Sequence, residues 1–237
     1  DSAIQAVVKG EADFVEGITA LEVKSLQGKP GITAHNGNSP GFDEIAFNTG
    51  SVSAATGGHP IGDPNPAVLD PKFRHALGYA LNLPQLISKV YQGAGLPGTT
   101  IVPPNYTAYH WEPLAAQKFT FDLQKAKQLF TQAGVKPGTT FTFWALAGRR
   151  DEWITMGEIL QQDLQKIGLN LSIQRNDVST WLGKFYPAGK SYPGTIIANY
   201  FSMPPQPTFA FQQGLYGNCE CNWNNPKLEA LAKQAAP

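Results

Sequence analysis

Apolar residues recur along this chain in short blocks of two different periods, and the blocks alternate. Between Ser2 and Lys9 the apolar positions Ile4, Val7 and Val8 fall at helical spacing, and Gly10 closes the run. Ala12 to Glu16 reads as a strand, Ala20 to Leu26 as a second short helix, and Glu44 to Asn48 as another strand. From Thr49 to Pro71 the pattern fails. Gly57-Gly58-His59-Pro60 and Asp63-Pro64-Asn65-Pro66 punctuate that stretch, which predicts a long loop of functional or inserted character.

After residue 70 the periodicity is regular. Asp70 precedes Pro71, the placement in which proline's fixed φ and missing N–H suit the first turn of a helix running to Leu81. Asn82 caps the next helix, Pro84 to Tyr91, which Gly93 and Gly95 end. A Pro- and aromatic-rich loop follows from Leu96 to Phe119. Asp122 then caps a helix with Leu123, Ala126, Leu129, Phe130 and Ala133 on one stripe, stopped by Gly134. Thr140 to Leu146 is a strand, Asp151 to Ile167 a helix, and Leu169 to Ile173 a strand. That order predicts a parallel pair joined by a right-handed crossover. Thr180 to Tyr186 reads as a short helix, Thr195 to Tyr200 as a further strand, and Pro226 to Ala235 as a last helix; Met203-Pro204-Pro205-Gln206-Pro207 is excluded from regular structure by its prolines. The order of elements therefore gives an α/β fold class, a sheet flanked by helices.

Composition removes whole classes of function. The 237 residues carry 18 Lys plus Arg against 18 Asp plus Glu, a formal net charge of zero, and only 15% are charged. No basic stripe is present, so general binding to nucleic acid or an anionic membrane has no electrostatic driving force. No apolar run approaches the roughly 20 residues that cross a bilayer. The first residues lack the charged-then-apolar pattern of a secretory leader, which predicts either a cytosolic protein or a leader already removed. With 5 Trp, 8 Tyr and 13 Phe the chain has enough to bury and is not disordered.

Candidate chemistry is sparse. Cys219 and Cys221 are two residues apart, too few for a disulfide framework and without the partners of a zinc site; they are two thiols or one local bridge. His35, His59, His75 and His110 are scattered without metal-ligand spacing, so no metal or cofactor is expected. Asp43-Glu44 and Asp151-Glu152 are adjacent pairs whose side chains point apart, which gives no support to acid/base catalysis. Asp151 instead belongs at a helix N-terminus. Arg149 and Arg150, two of the four arginines, lie between a strand end and a helix start, the edge where open α/β sheets bind ligands; they suit a carboxylate or another anion. Exposed charges flanking a helix start are the competing account. Tyr106, Tyr109, Trp111, Trp144, Trp181, Tyr200, Phe201 and Trp223 add aromatic faces fit for small polar organic solutes, with core packing the stronger account of Trp144 and Trp181.

Several segments together carry a family resemblance. Asp70-Pro71-Lys72-Phe73-Arg74-His75-Ala76-Leu77-Gly78-Tyr79-Ala80-Leu81-Asn82, then Gly93-Ala94-Gly95-Leu96-Pro97 and Val102-Pro103-Pro104, resembles a signature segment of the oligopeptide/dipeptide/nickel class of extracellular solute-binding proteins, which serve ATP-binding-cassette importers. Lys9-Gly10-Glu11-Ala12-Asp13 and Phe47-Asn48 resemble the same class. So do Phe121-Asp122-Leu123 through Ala133-Gly134, Gln161 to Gly168, and Asn225-Pro226-Lys227-Leu228-Glu229-Ala230-Leu231.

The resemblance implies one lobe, built on a mixed, largely parallel sheet flanked by helices, of a two-lobed protein of the periplasmic-binding-protein type II class that closes like a hinge on a solute. It assigns residues 1–50 to a hinge-proximal segment matching the end of the first lobe, 51–70 to a loop or insertion, 71–200 to the second-lobe core and 201–237 to a truncated return segment. Its expected partners are a small-molecule solute (a peptide, an oligosaccharide or similar), the membrane permease subunits and the absent first lobe. Nucleic acid is not among them. The expected compartment is extracytoplasmic, the periplasm or the cell surface through a lipid anchor, and no catalysis is expected. Trp144, Arg149, Arg150, Tyr200, Phe201 and Met203 are the expected cleft-facing residues. In peptide-binding members a "W-x-x-D" segment is expected to hold the peptide amino group; here Tyr200 stands at the Trp position and Met203 at the Asp position, and a thioether cannot pair with ammonium. Two alternatives remain: a ligand-sensing domain of a regulator, and an α/β glycoside-active enzyme needing two carboxylates across one cleft.

Overall fold

The structure is a computed structural model, and it describes residues 2–35, 37, 41–47, 66–100, 102–115, 118–148, 150–185, 196–202 and 226–235. Among these the elements run α1 (Ser2–Lys9), α2 (Ala20–Leu26), β1 (Gly41–Phe47), α3 (Pro66–Leu69), α4 (Pro71–Ala80), α5 (Leu83–Lys89), α6 (Leu123–Gln132), β2 (Thr140–Leu146), α7 (Asp151–Lys166), β3 (Asn170–Asn176), α8 (Val178–Phe185), β4 (Ile196–Ser202) and α9 (Pro226–Ala235). None of these helices is long and apolar enough to cross a membrane.

The helix starts follow from local chemistry. Asp70 accepts the Lys72 N–H at 2.8 Å, Asn82 accepts the Gln85 N–H at 3.1 Å, and Asp122 accepts the Lys125 N–H at 2.9 Å, each satisfying a donor that the helix itself leaves open. Gly134, at φ +77°, ends α6 in the left-handed conformation that only glycine adopts without strain. Asp177 supplies the cap of α8, accepting the Thr180 N–H at 2.9 Å, and so starts that helix at Val178, two residues earlier than Thr180.

The four strands form one sheet in the order β1-β4-β2-β3. β2 is parallel to both β3 and β4, and β1 closes the edge antiparallel to β4 with Asp43 opposite Tyr200 and Phe47 opposite Ile196. The parallel β2–β3 pair is the one that the pattern predicts, and the whole is the mixed, largely parallel sheet flanked by helices that the family resemblance implies. On one face of the sheet, Phe73 from α4 packs edge-on against Phe141 of β2 at 5.0 Å and against Phe130 of α6 at 5.3 Å, all three buried. α7 covers the same face. A Cβ on Gly157 would stand 2.8 Å from Phe143 Cδ1, so glycine is what lets the helix approach the strand. Trp144 lies on the opposite face, beside Ile197 and 6.1 Å from Trp181 of α8.

Two expectations are corrected. Residues 12–16 form no strand: no described strand pairs with them, and Phe14 stands 76% exposed, so an apolar pair without a ladder partner does not hold an extended segment in place. Within the expected loop 49–71, Pro66–Leu69 is a helical turn. Its Val68 is fully buried, and Arg74 Nη1 donates to the Val68 and Leu69 carbonyls at 2.7 and 3.0 Å, satisfying the acceptors at its end. Residues 51–65, His59, the segment 203–207, and Cys219, Cys221 and Trp223 lie outside the described residues.

Candidate functional site

The C-terminal ends of β2, β3 and β4 share one edge of the sheet with the start of the antiparallel β1. At that edge the turn after β2 leads into α7. Asp151, the first residue of α7, accepts the Gly148 N–H at 2.8 Å and folds the turn back on itself, so its carboxylate serves the loop and not the free N–H groups of its own helix. Arg150 stands at the cap position. Its guanidinium lies 4.5 Å from the centre of the Tyr200 ring and 5.7 Å from that of Trp153, within cation–π range of both, and Nη1 donates to Glu152 Oε1 at 3.2 Å.

Beneath this stack sits a carboxylate. Asp43, opposite Tyr200 in the β1–β4 ladder, accepts the Trp153 indole N–H on Oδ1 at 2.9 Å and the Tyr91 phenol on Oδ2 at 2.6 Å. Burial of Tyr91, reinforced by the Asp43 charge, drives its phenol far above the usual tyrosine range, so it remains a donor at any physiological pH. Trp153 is 3% exposed and packs 5.8 Å from Trp181. Asp43, Tyr91, Trp153, Arg150, Tyr200 and Glu152 thus form one connected cluster at this edge.

The guanidinium has five N–H donors in a planar fork, and Glu152 engages one nitrogen. The fork is suited to a second carboxylate or another planar anion. Each Asp43 oxygen already accepts a hydrogen bond and Glu152 is paired with Arg150, so both carboxyls act as fixed acceptors.

Of the expected cleft residues, the structure brings Arg150 and Tyr200 together. Trp144 is 1% exposed on the other face of the sheet from Tyr200, because side chains alternate along a strand; on this chain its ring packs in the core and presents nothing to a solute. Phe201 pairs through its backbone with Phe42. Arg149 and Met203 lie outside the described residues. Tyr109 and Trp111 stand exposed on the loop after α5, at 61% and 60%. Residue reasoning missed Asp43, Tyr91 and the indole role of Trp153. The available clue was an aspartate inside the apolar strand Phe42-Asp43-Glu44-Ile45-Ala46-Phe47, where a core-side carboxylate demands partners.

The architecture is thus an α/β sheet with one antiparallel edge strand, flanked by helices, with Arg150 at the C-terminal ends of its parallel strands. The model of the bacterial extracellular solute-binding proteins, family 5, middle region, matches residues 1–218, and the chain belongs to that family. The dipeptide-binding protein of Escherichia coli strain K12 is 36% identical over 107 residues, which is 44% of this chain and 19% of that protein. Heme-binding protein A of Haemophilus influenzae is 35% identical over 101 residues, 41% of this chain and 18% of its own length. Among solved structures, the substrate-binding protein CtaP of Listeria monocytogenes superposes with a TM-score of 0.82 at 19% identity, over 99% of this chain and 45% of that one. The dipeptide-binding protein of Pseudoalteromonas sp. SM9913, in complex with Met-Leu, gives 0.79 at 24% identity, over 99% and 44%. The chain thus spans under half the length of these solved structures.

Proposed function

We propose that this chain supplies one lobe of the solute-binding component of an ATP-binding-cassette importer. The solute is a small molecule of the peptide class whose free carboxylate rests on Arg150. The observation that carries the reading is the guanidinium held over the Tyr200 ring at 4.5 Å, at the strand-end edge where α/β sheets take ligands. The peptide class draws support from the dipeptide-binding relative of E. coli and from the similar fold that carries Met-Leu. Arg149 and Phe201, next to Arg150 and Tyr200 in the sequence, are further candidates for solute contact, and closure of a second lobe expels water from the bound solute. The permease subunits are the remaining partners, the site faces outside the cytoplasm, and no reaction is catalysed.

Met203 sharpens the choice of solute. A thioether at the position expected to hold a peptide amino group leaves that end of the solute without a fixed counter-charge. Calorimetry on the full-length protein with Met-Leu, N-acetyl-Met-Leu and Met-Leu C-terminal amide tests both halves of the reading. The first two bind comparably, and the amide binds at least about tenfold more weakly, the cost of one charge-assisted contact. Equal binding of the amide, or binding of none of the three, overturns it.

A further inference from the structure

We propose that Asp43 is a positioning residue that acts through Trp153 to hold the Arg150 guanidinium in the orientation that takes a solute carboxylate. The role rests on the Arg150 reading above.

Asp43 joins three parts of the chain at one point through its two carboxylate oxygens. Its oxygens tie Tyr91, 48 residues away just beyond α5, and Trp153, 110 residues away in α7, to the edge strand β1. Both donors are rigid aromatic groups, and a single carboxylate receives them on separate oxygens at 2.6 and 2.9 Å. Fixing the indole N–H fixes the rotation of the Trp153 ring, and the guanidinium lies over that ring at 5.7 Å as well as over Tyr200 at 4.5 Å. Tyr200 is itself opposite Asp43 in the ladder, so the same backbone pair sets both aromatic surfaces on which Arg150 rests. A guanidinium recognises a carboxylate through two parallel N–H···O bonds, which depend on the tilt of its plane more than on its distance. Control of that plane is therefore control of specificity. Aspartate accepts from both groups at once; an asparagine keeps one acceptor oxygen for the indole and must donate its amide to the phenol oxygen, which removes the charge and reverses one of the two hydrogen bonds.

The test is the preference of the full-length protein for Met-Leu over Met-Leu C-terminal amide, measured for wild type, Asp43→Asn, Trp153→Phe and the double variant. Wild type prefers the free acid by at least about tenfold; Asp43→Asn and Trp153→Phe each bring the preference to within about twofold of unity, and the double variant does no more than either alone. A purely structural loss would weaken both solutes equally and leave the ratio unchanged. A wild type without preference sinks the carboxylate reading itself. A wild type with preference that Asp43→Asn retains or increases sinks the role of Asp43 alone, and additive losses in the double variant sink the route through Trp153. Should Asp43→Asn fold poorly, the ring-current shift of the Arg150 side-chain protons is compared between wild type and Tyr91→Phe, which frees one Asp43 oxygen and leaves both the Trp153 and Tyr200 rings in place. A changed shift supports the role of Asp43, and an undisturbed shift overturns it.

Discussion

The phenol of Tyr200 occupies the space that a Cβ on Gly41 would fill. Gly41 begins β1 two residues before Asp43, and its missing side chain is what allows the Tyr200 ring to lie across the strand start and meet Arg150. Gly41→Ala collides with the far end of a side chain that can swing aside, so the expected stability loss is small, under about 1 kcal/mol. The displaced ring no longer supports the guanidinium, an interaction worth about 0.5–2 kcal/mol. Thermal unfolding should shift little while affinity for a carboxylate solute falls by roughly threefold or more. A large loss of stability with unchanged affinity would contradict this.

Arg150→Lys keeps the charge and loses the fork. Lysine presents a compact ammonium that neither stacks on Tyr200 nor makes two parallel bonds to a carboxylate. Affinity for Met-Leu in the full-length protein is expected to fall about tenfold with the fold intact by circular dichroism. Retention of wild-type affinity would show that charge alone serves.

Gly157→Ala sets two effects against each other. Alanine gains about 1 kcal/mol of helix propensity over glycine. The new methyl meets Phe143 Cδ1 at 2.8 Å and Ile173 Cδ1 at 3.3 Å in the core, and overpacking of this kind costs about 1–3 kcal/mol. The clash wins, and the melting temperature falls. A rise would mean that α7 can lift from β2 at no cost.

Phe73→Ala removes the ring that contacts Phe47, Phe130 and Phe141 together. The residue is fully buried, so the variant should lose about 3–5 kcal/mol in denaturant unfolding. A loss below about 1 kcal/mol would place the core elsewhere.

His110 gives the chain a pH dependence outside the proposed site. Nδ1 faces the Val102 carbonyl and Nε2 faces Glu112 Oε2, each at 2.7 Å, with Thr100 Oγ1 at 3.4 Å from Nδ1 and Lys118 paired to the same Glu112. Two acceptors favour the imidazolium, so the Glu112 hydrogen bond and then the Val102 carbonyl hold the histidine above its ordinary value. The Lys118 ammonium and then His110 bring Glu112 down to about 2. Because the folded pKa is raised, this contribution to stability is complete below about 6.5 and disappears as the pH climbs through the folded value. The proton resonances of His110 should titrate above about 6.5, and Glu112→Gln should lower the midpoint. A wild-type midpoint at or below the ordinary value would refute the pinning of this loop.

Much of the fold was legible because its causes are local. Asp70, Asn82 and Asp122 cap helices through residues two or three positions away, and the apolar stripes of α6 and α7 and the strand–helix–strand order around α7 are written in neighbouring residues. The place of Arg150 was legible for the same reason, since a strand end followed by a helix start is a local feature. The 12–16 segment shows the limit: two apolar residues and a turn predict a strand, yet a strand exists only where another pairs with it.

Sequence by itself thus determined the class of the fold, the parallel β2–β3 unit, the zero net charge and the place of Arg150 between a strand end and a helix start. Tertiary structure alone decided which side chains share that edge. The insertion of β4 between β1 and β2 puts Asp43 across from Tyr200, while strand alternation sends Trp144 to the opposite face. Contacts across 48 and 110 residues assemble the carboxylate beneath Arg150. No periodicity records such contacts, because they depend on strand order and register, which only the packed sheet sets.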